Sequence, residues 1–145
     1  MGGRKKFPLL IEDFGNITQN FNFIASREEF VRVNNEVCKF LKDNNSDFII
    51  IKKTNLLLEE IGLKILDFNR DLNRKIRVEV SVQITPGKNN DAYLVVRDNG
   101  KFLDLTNEDN EVTSLNSYML SSYLSTVQDK SYVKTIGFNR SHYKI

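Results

Sequence analysis

Glu60 and Asp98 are the side chains of this sequence whose type and setting could do chemistry. Glu60 closes the run Leu56-Leu57-Leu58-Glu59-Glu60, and Asp98-Asn99-Gly100 follows 38 residues later at the end of an apolar strand. A glutamate acts as a general base where it is ionised and within hydrogen-bond reach of the proton it takes. Asp98, an acceptor only, could read an exocyclic amino group. Each has a plainer alternative: two glutamates on a solvated helix face, and a strand-ending turn, for which Asp-Asn-Gly is a common signal. Lys64 stands four residues after Glu60 on the same helix face, where an acid before a base forms a pair of about 0.3–0.5 kcal/mol. Such a pair would lower the Glu60 pKa and make it a weaker base. His142 is the single histidine, so no His-based metal cluster or Cys-His pair with ligand spacing can be built. The lone Cys38 falls at an apolar helical position and reads as a small buried hydrophobe.

The elements that must position these groups follow from periodicity. Phe21-Asn22-Phe23-Ile24 reads as a short first strand. Ser26-Arg27-Glu28-Glu29 is a capping box, and Phe30, Val33, Val37, Phe40 and Leu41 recur at helical spacing until the turn residues at 43–47. Phe48-Ile49-Ile50-Ile51 alone would pass for a strand, but it flows without a breaker into Leu58, Ile61, Ile65 and Phe68, which predicts a helix over 50–67. Ile76, Val78, Val80, Val82 and Ile84 alternate with polar residues, the pattern of a strand with one wet face. The turn at 85–91 leads to a hairpin partner at 92–97. A polar loop of lid length covers 101–111, and Thr113 or Ser114 caps a third helix running to 127. Two last strands, 132–136 and 141–145, flank a turn at Gly137-Phe138-Asn139-Arg140. This order predicts an α+β two-layer sandwich, a mostly antiparallel mixed sheet with its helices on one face.

The 145 residues suit one core, with an N-terminal extension or expression remnant at 1–19 and the domain at 20–145. Twenty-one basic and 19 acidic residues are interspersed, which speaks against a nucleic-acid binder. No apolar run reaches the roughly 18–20 residues of a membrane span. One cysteine cannot form an intramolecular disulfide, so a reducing, cytoplasmic setting is expected.

The Glu59-Glu60 helix followed by a strand ending in Asp98-Asn99-Gly100 resembles the ATP-binding domains of the GHKL (Bergerat-fold) superfamily, in particular the histidine-kinase-like ATPase fold of the anti-sigma-factor serine kinases. The resemblance covers about residues 20–145. It implies that Glu60 is the catalytic carboxylate near the end of the triphosphate, that Asp98 accepts a hydrogen bond from the adenine amino group, and that Gly100 lets the base lie against the backbone. The sequence departs from the family at three places. Lys64 replaces the asparagine that holds magnesium, Phe102 stands at the second glycine of the adenine box, and the stretch from Thr113 to Leu120 has none of the glycines that wrap the phosphates. Phe102 would crowd the purine or plug its pocket. The resemblance therefore implies a regulatory domain with Glu60, Lys64, Asp98 and Gly100 at the nucleotide position, ATP or ADP bound weakly or not at all, and magnesium not expected. A regulatory protein is the implied partner, and a homodimer is compatible with the fold. The alternative is an active ATP-dependent serine protein kinase.

Overall fold

The computed structural model describes residues 15–106, 129–135 and 137–145. Its elements run β1 (Ile17–Ile24), α1 (Arg27–Asp43), α2 (Phe48–Phe68), β2 (Arg77–Ile84), β3 (Tyr93–Asp98), β4 (Asp129–Thr135) and β5 (Phe138–Lys144). The expected third helix at 113–127 and the second part of the polar loop before it, 107–111, lie outside the described residues.

The strands form one sheet in the order β1-β2-β3-β5-β4, and every neighbouring pair is antiparallel. The described helices lie on one face, so the two-layer α+β architecture stands, and among the described residues every strand pair is antiparallel. Val78, Val80, Val82 and Ile84 are buried under the helices as their alternation requires. Each such side chain contributes roughly 1.5–3 kcal/mol by leaving water.

Local signals explain the element ends. The Ser26 hydroxyl accepts the Glu29 N–H at 3.1 Å, closing half of the capping box. The Glu29 carboxylate turns instead to Arg32, 2.9 Å away. α2 begins at Phe48, so the apolar run that resembled a strand is helical from its first residue. β1 begins at Ile17, three residues before the boundary expected at 20. The last hairpin is tighter than its sequence suggests. Gly137 takes the left-handed turn conformation at φ 83°, and Phe138, Asn139 and Arg140 belong to β5 rather than to a turn.

Registers place the side chains of paired residues on a common face. One row across the sheet reads Phe23, Val78, Asp98, Asn139, Lys134, and the next reads Phe21, Val80, Val96, Ser141, Tyr132. The helix-facing surface is thus apolar over β1, β2 and most of β3 and polar over β5 and β4.

Candidate functional site

Two helical positions are aimed at the polar half of that surface by simple geometry. Gly62 of α2 faces α1, for a Cβ built there would lie 2.8 Å from the Phe30 ring. Phe30 in turn meets Phe23 of β1 edge to face, with ring centroids 5.1 Å apart, so α1 lies on the β1 side of the layer. Residues two positions from Gly62 are turned about 160–200° away from it on a helix. Glu60 and Lys64 therefore occupy the flank of α2 opposite α1, toward β5 and β4.

Glu60 is 3% exposed, and its Oε2 is buried with no hydrogen-bond partner among the described residues. Burial first, and the neighbouring Glu59 carboxylate second, push the Glu60 carboxyl up to about 7. The Glu60–Lys64 pair expected from spacing does not form, since none of the ion pairs among the described residues joins them. The helix flank is half-covered at Lys64, and burial lowers the ammonium's pKa too. Both groups are drawn toward neutrality by loss of water, in place of a solvated pair that would have kept both charged.

Asp98 sits at the border between the apolar and polar halves, buried at the end of β3. Its Oδ1 accepts the Gly100 N–H at 2.9 Å and the Asn139 Nδ2 at 3.0 Å. Burial raises the Asp98 pKa, and these two bonds oppose the rise. Asn139 is satisfied on every side. Its Nδ2 also donates to the Lys101 carbonyl at 2.8 Å, while its Oδ1 accepts the Tyr132 hydroxyl at 2.9 Å and the Leu103 N–H at 3.2 Å.

A second asparagine closes the other side. Asn69 caps α2, donating from Nδ2 to the Ile65 carbonyl at 2.8 Å and accepting the Lys101 N–H at 2.7 Å. A Cβ on Gly100 would lie 2.5 Å from the Asn69 Oδ1, so glycine is required here by the amide packed on it. Phe102, expected to crowd or plug an adenine pocket, is 55% exposed. Its ring lies edge-on to Tyr132 and beneath the Lys134 ammonium, and it is Asn69 that occupies the space beside Gly100.

The structure thus sets Asp98 and Gly100 in one hydrogen-bonded loop and turns Glu60 and Lys64 toward the same half of the sheet. The region that would hold phosphates, 113–120, lies outside the described residues. Asn69, Tyr132, Asn139 and Ser141 had drawn no functional reading. For Asn139 a signal was available: Asn139, Ser141 and Tyr143 alternate, the mark of one strand face. The buried Ser141 Oγ and Tyr143 hydroxyl extend this polar strip.

The remaining features lie away from this strip. An open cavity of about 580 Å³ lies at one end of the sheet face away from α1 and α2, lined by Arg77, Glu79, Arg97 and Phe138 among others. There Arg97 pairs with Glu79 at 2.6 Å and stacks 4.8 Å over the Phe138 ring. His142 is buried on β5, and burial, then Arg140, hold its imidazole down to about 4. Cys38 is half-buried, its thiol pKa raised by burial. Among the described residues no three His, Cys, Asp or Glu side chains gather to hold a metal ion, and no helix is long and apolar enough to cross a membrane.

Compared with known protein families and with curated proteins, the chain matches none.

Proposed function

We propose that this domain is a regulatory module built like the ATP-binding domain of an anti-sigma-factor serine kinase, with nucleotide binding weakened or lost and a protein partner as its target. The observation that carries this reading is the Asn69 amide packed on Gly100 beside the hydrogen-bonded Asp98. A glycine next to an aspartate that reads adenine must leave room for the base. Here Asp98 Oδ1 is held by Gly100 and Asn139, and the Asn69 amide covers Gly100. Opening that network would leave buried donors unsatisfied, at about 1–3 kcal/mol for each. Lys64 adds an ammonium, which has no lone pair to offer a metal ion. A base position filled by the protein's own side chains suits recognition of a protein.

A second reading, the active serine kinase, draws on Glu60. A carboxyl pushed up to about 7, with a buried Oε2 that has no partner among the described residues, is tuned as general bases are. Thermal unfolding in the presence of ATP or ADP, with and without magnesium, separates the two. A ligand at a hundred times its Kd stabilises by about 2.7 kcal/mol, several degrees in Tm for a chain of this size. No shift at millimolar nucleotide is expected. A rise of several degrees would overturn the proposal in favour of the kinase.

A further inference from the structure

Strand register sets the floor of the open cavity on the sheet face away from α1 and α2. Asn22, Glu79, Arg97 and Arg140 share one row across β1, β2, β3 and β5, and Ile24 stands opposite Arg77 in the next. Among these residues Glu79 is the one carboxylate, set against three guanidinium groups. That carboxylate is already engaged. Arg97 pairs with it at 2.6 Å, and the same guanidinium lies 4.8 Å over the Phe138 ring. Arg140 is beside Arg97 across the β3–β5 ladder, its pKa lowered by burial first and by Arg97 second, with Glu79 opposing. Arg77 lines the cavity, is exposed, and joins none of the ion pairs among the described residues.

Asn99, which also lines the cavity, is fixed on three sides. Its N–H donates to the Arg77 carbonyl at 3.2 Å, its carbonyl accepts the Arg74 guanidinium at 2.7 Å, and its Oδ1 accepts the Arg77 N–H at 2.8 Å. With the amide oxygen spent, Asn99 has its Nδ2 hydrogens left to offer. Ile24, 42% exposed, and Phe138, 37% exposed, give the cavity apolar walls. Such a lining is rich in donors and positive charge, and the partner it lacks is an acceptor: a carboxylate or phosphate, two of whose oxygens a guanidinium grips at once. A bare inorganic ion would leave most of about 580 Å³ and both apolar walls unused. Cavities of roughly 300–1,000 Å³ are the size that holds whole organic molecules.

We propose that this cavity binds a small organic anion, its carboxylate or phosphate held by Arg77, Arg97 and the Asn99 amide and its apolar body resting on Ile24 and Phe138. Glu79 acts as a positioning residue. It holds Arg97 at the cavity wall through their ion pair, and its own charge turns away a second negative group. One anionic end on an uncharged body is therefore the chemistry that fits. The cavity lies on the face of the sheet opposite Asp98, whose row points to the helices, so this inference stands apart from the reading of the nucleotide position.

Amide chemical shifts of the full chain, titrated with benzoate, phenyl phosphate and the uncharged benzamide, test it. Saturable shifts are expected at Ile24, Arg77, Arg97, Asn99 and Phe138, with a benzoate Kd on the order of 1 mM for so small a ligand. Benzamide has the shape of benzoate without its charge, and it should bind about tenfold more weakly or worse. Arg77→Gln should lower benzoate affinity about tenfold or more and erase its advantage over benzamide. Because the Arg77 side chain is exposed, the variant should keep the wild-type circular dichroism. Phenyl phosphate binding more tightly than benzoate would mark the natural anion as a phosphate ester, and the reverse order as a carboxylate. The absence of saturable shifts with either anion overturns the proposal, as do shifts centred elsewhere on the molecule. So does benzamide binding as tightly as benzoate, or a benzoate affinity that Arg77→Gln leaves unchanged.

Discussion

Replacing Glu60 by glutamine should stabilise the domain, and by an amount that grows with pH. In the folded protein the carboxyl is pushed up to about 7 against an ordinary value of 4.5, because charging it in place means ionising a side chain that is 3% exposed and whose Oε2 has no partner among the described residues. Below about pH 4.5 both folded and unfolded chains hold the proton, and the penalty is absent. As pH rises to 7 the unfolded chain ionises first, so stability falls across that window and stays low above it. A span of about 2.5 pH units at 1.36 kcal/mol each sets the whole loss at about 3 kcal/mol. Glutamine keeps the shape and cannot ionise. The advantage of Glu60→Gln over the wild type should therefore widen by about 2–3 kcal/mol between pH 5 and pH 8, or about 5–10 °C in Tm. The wild-type profile alone would mislead, because His142 works in the opposite sense. Its pKa is held down to about 4 from 6.5, so the stability it contributes is lost as pH falls through that range. The difference between mutant and wild type cancels the histidine. Urea unfolding at half-unit steps of pH measures it, and a difference that stays constant from pH 5 to pH 8 would refute the assignment of a buried, raised carboxyl.

Three further outcomes follow from the same region. Gly100→Ala should cost about 1–3 kcal/mol by urea unfolding, because the new methyl meets the Asn69 Oδ1, and the cost should shrink in an Asn69→Ala background. Asp98→Ala should destabilise by about 1–3 kcal/mol whether or not nucleotide is present, since it strands the Asn139 Nδ2 and Gly100 N–H donors; an unchanged unfolding midpoint would mean the network is idle. In a radiolabelled-ATP assay the unmodified domain should show no magnesium-dependent turnover, and activity gained only by Lys64→Asn would locate the defect at that residue.

The architecture was legible in the sequence where periodicity is long or a cap is explicit. The strict alternation from Ile76 to Ile84 has one solution, and Ser26 before Glu29 marks where α1 starts. What could not be read depends on partners distant along the chain. Glycine followed by asparagine two residues later has the composition of a turn, which predicts a loop position for Asn139. Only the pairing of β3 with β5 puts it beside Asp98. Spacing alone suggested that Glu60 and Lys64 would pair, yet spacing does not say which flank of α2 faces solvent. That is set by the packing of Gly62 on Phe30. Asn69 lay outside every motif because its role, capping α2 while receiving the Lys101 N–H, exists only once the two segments meet.

α2 is tied to the sheet's loops at both ends. At its start the Asp47 N–H bonds the carbonyl of Asn89 in the β2–β3 turn at 2.8 Å, and at its end the Asn69 amide holds Lys101 beyond β3. Between these ties runs a rod of 21 residues, about 31 Å long, which cannot slide along its axis like a piston without breaking one of them. A displacement of α2 that keeps both ties is therefore crosswise, a roll that presses Gly62 against Phe30 of α1.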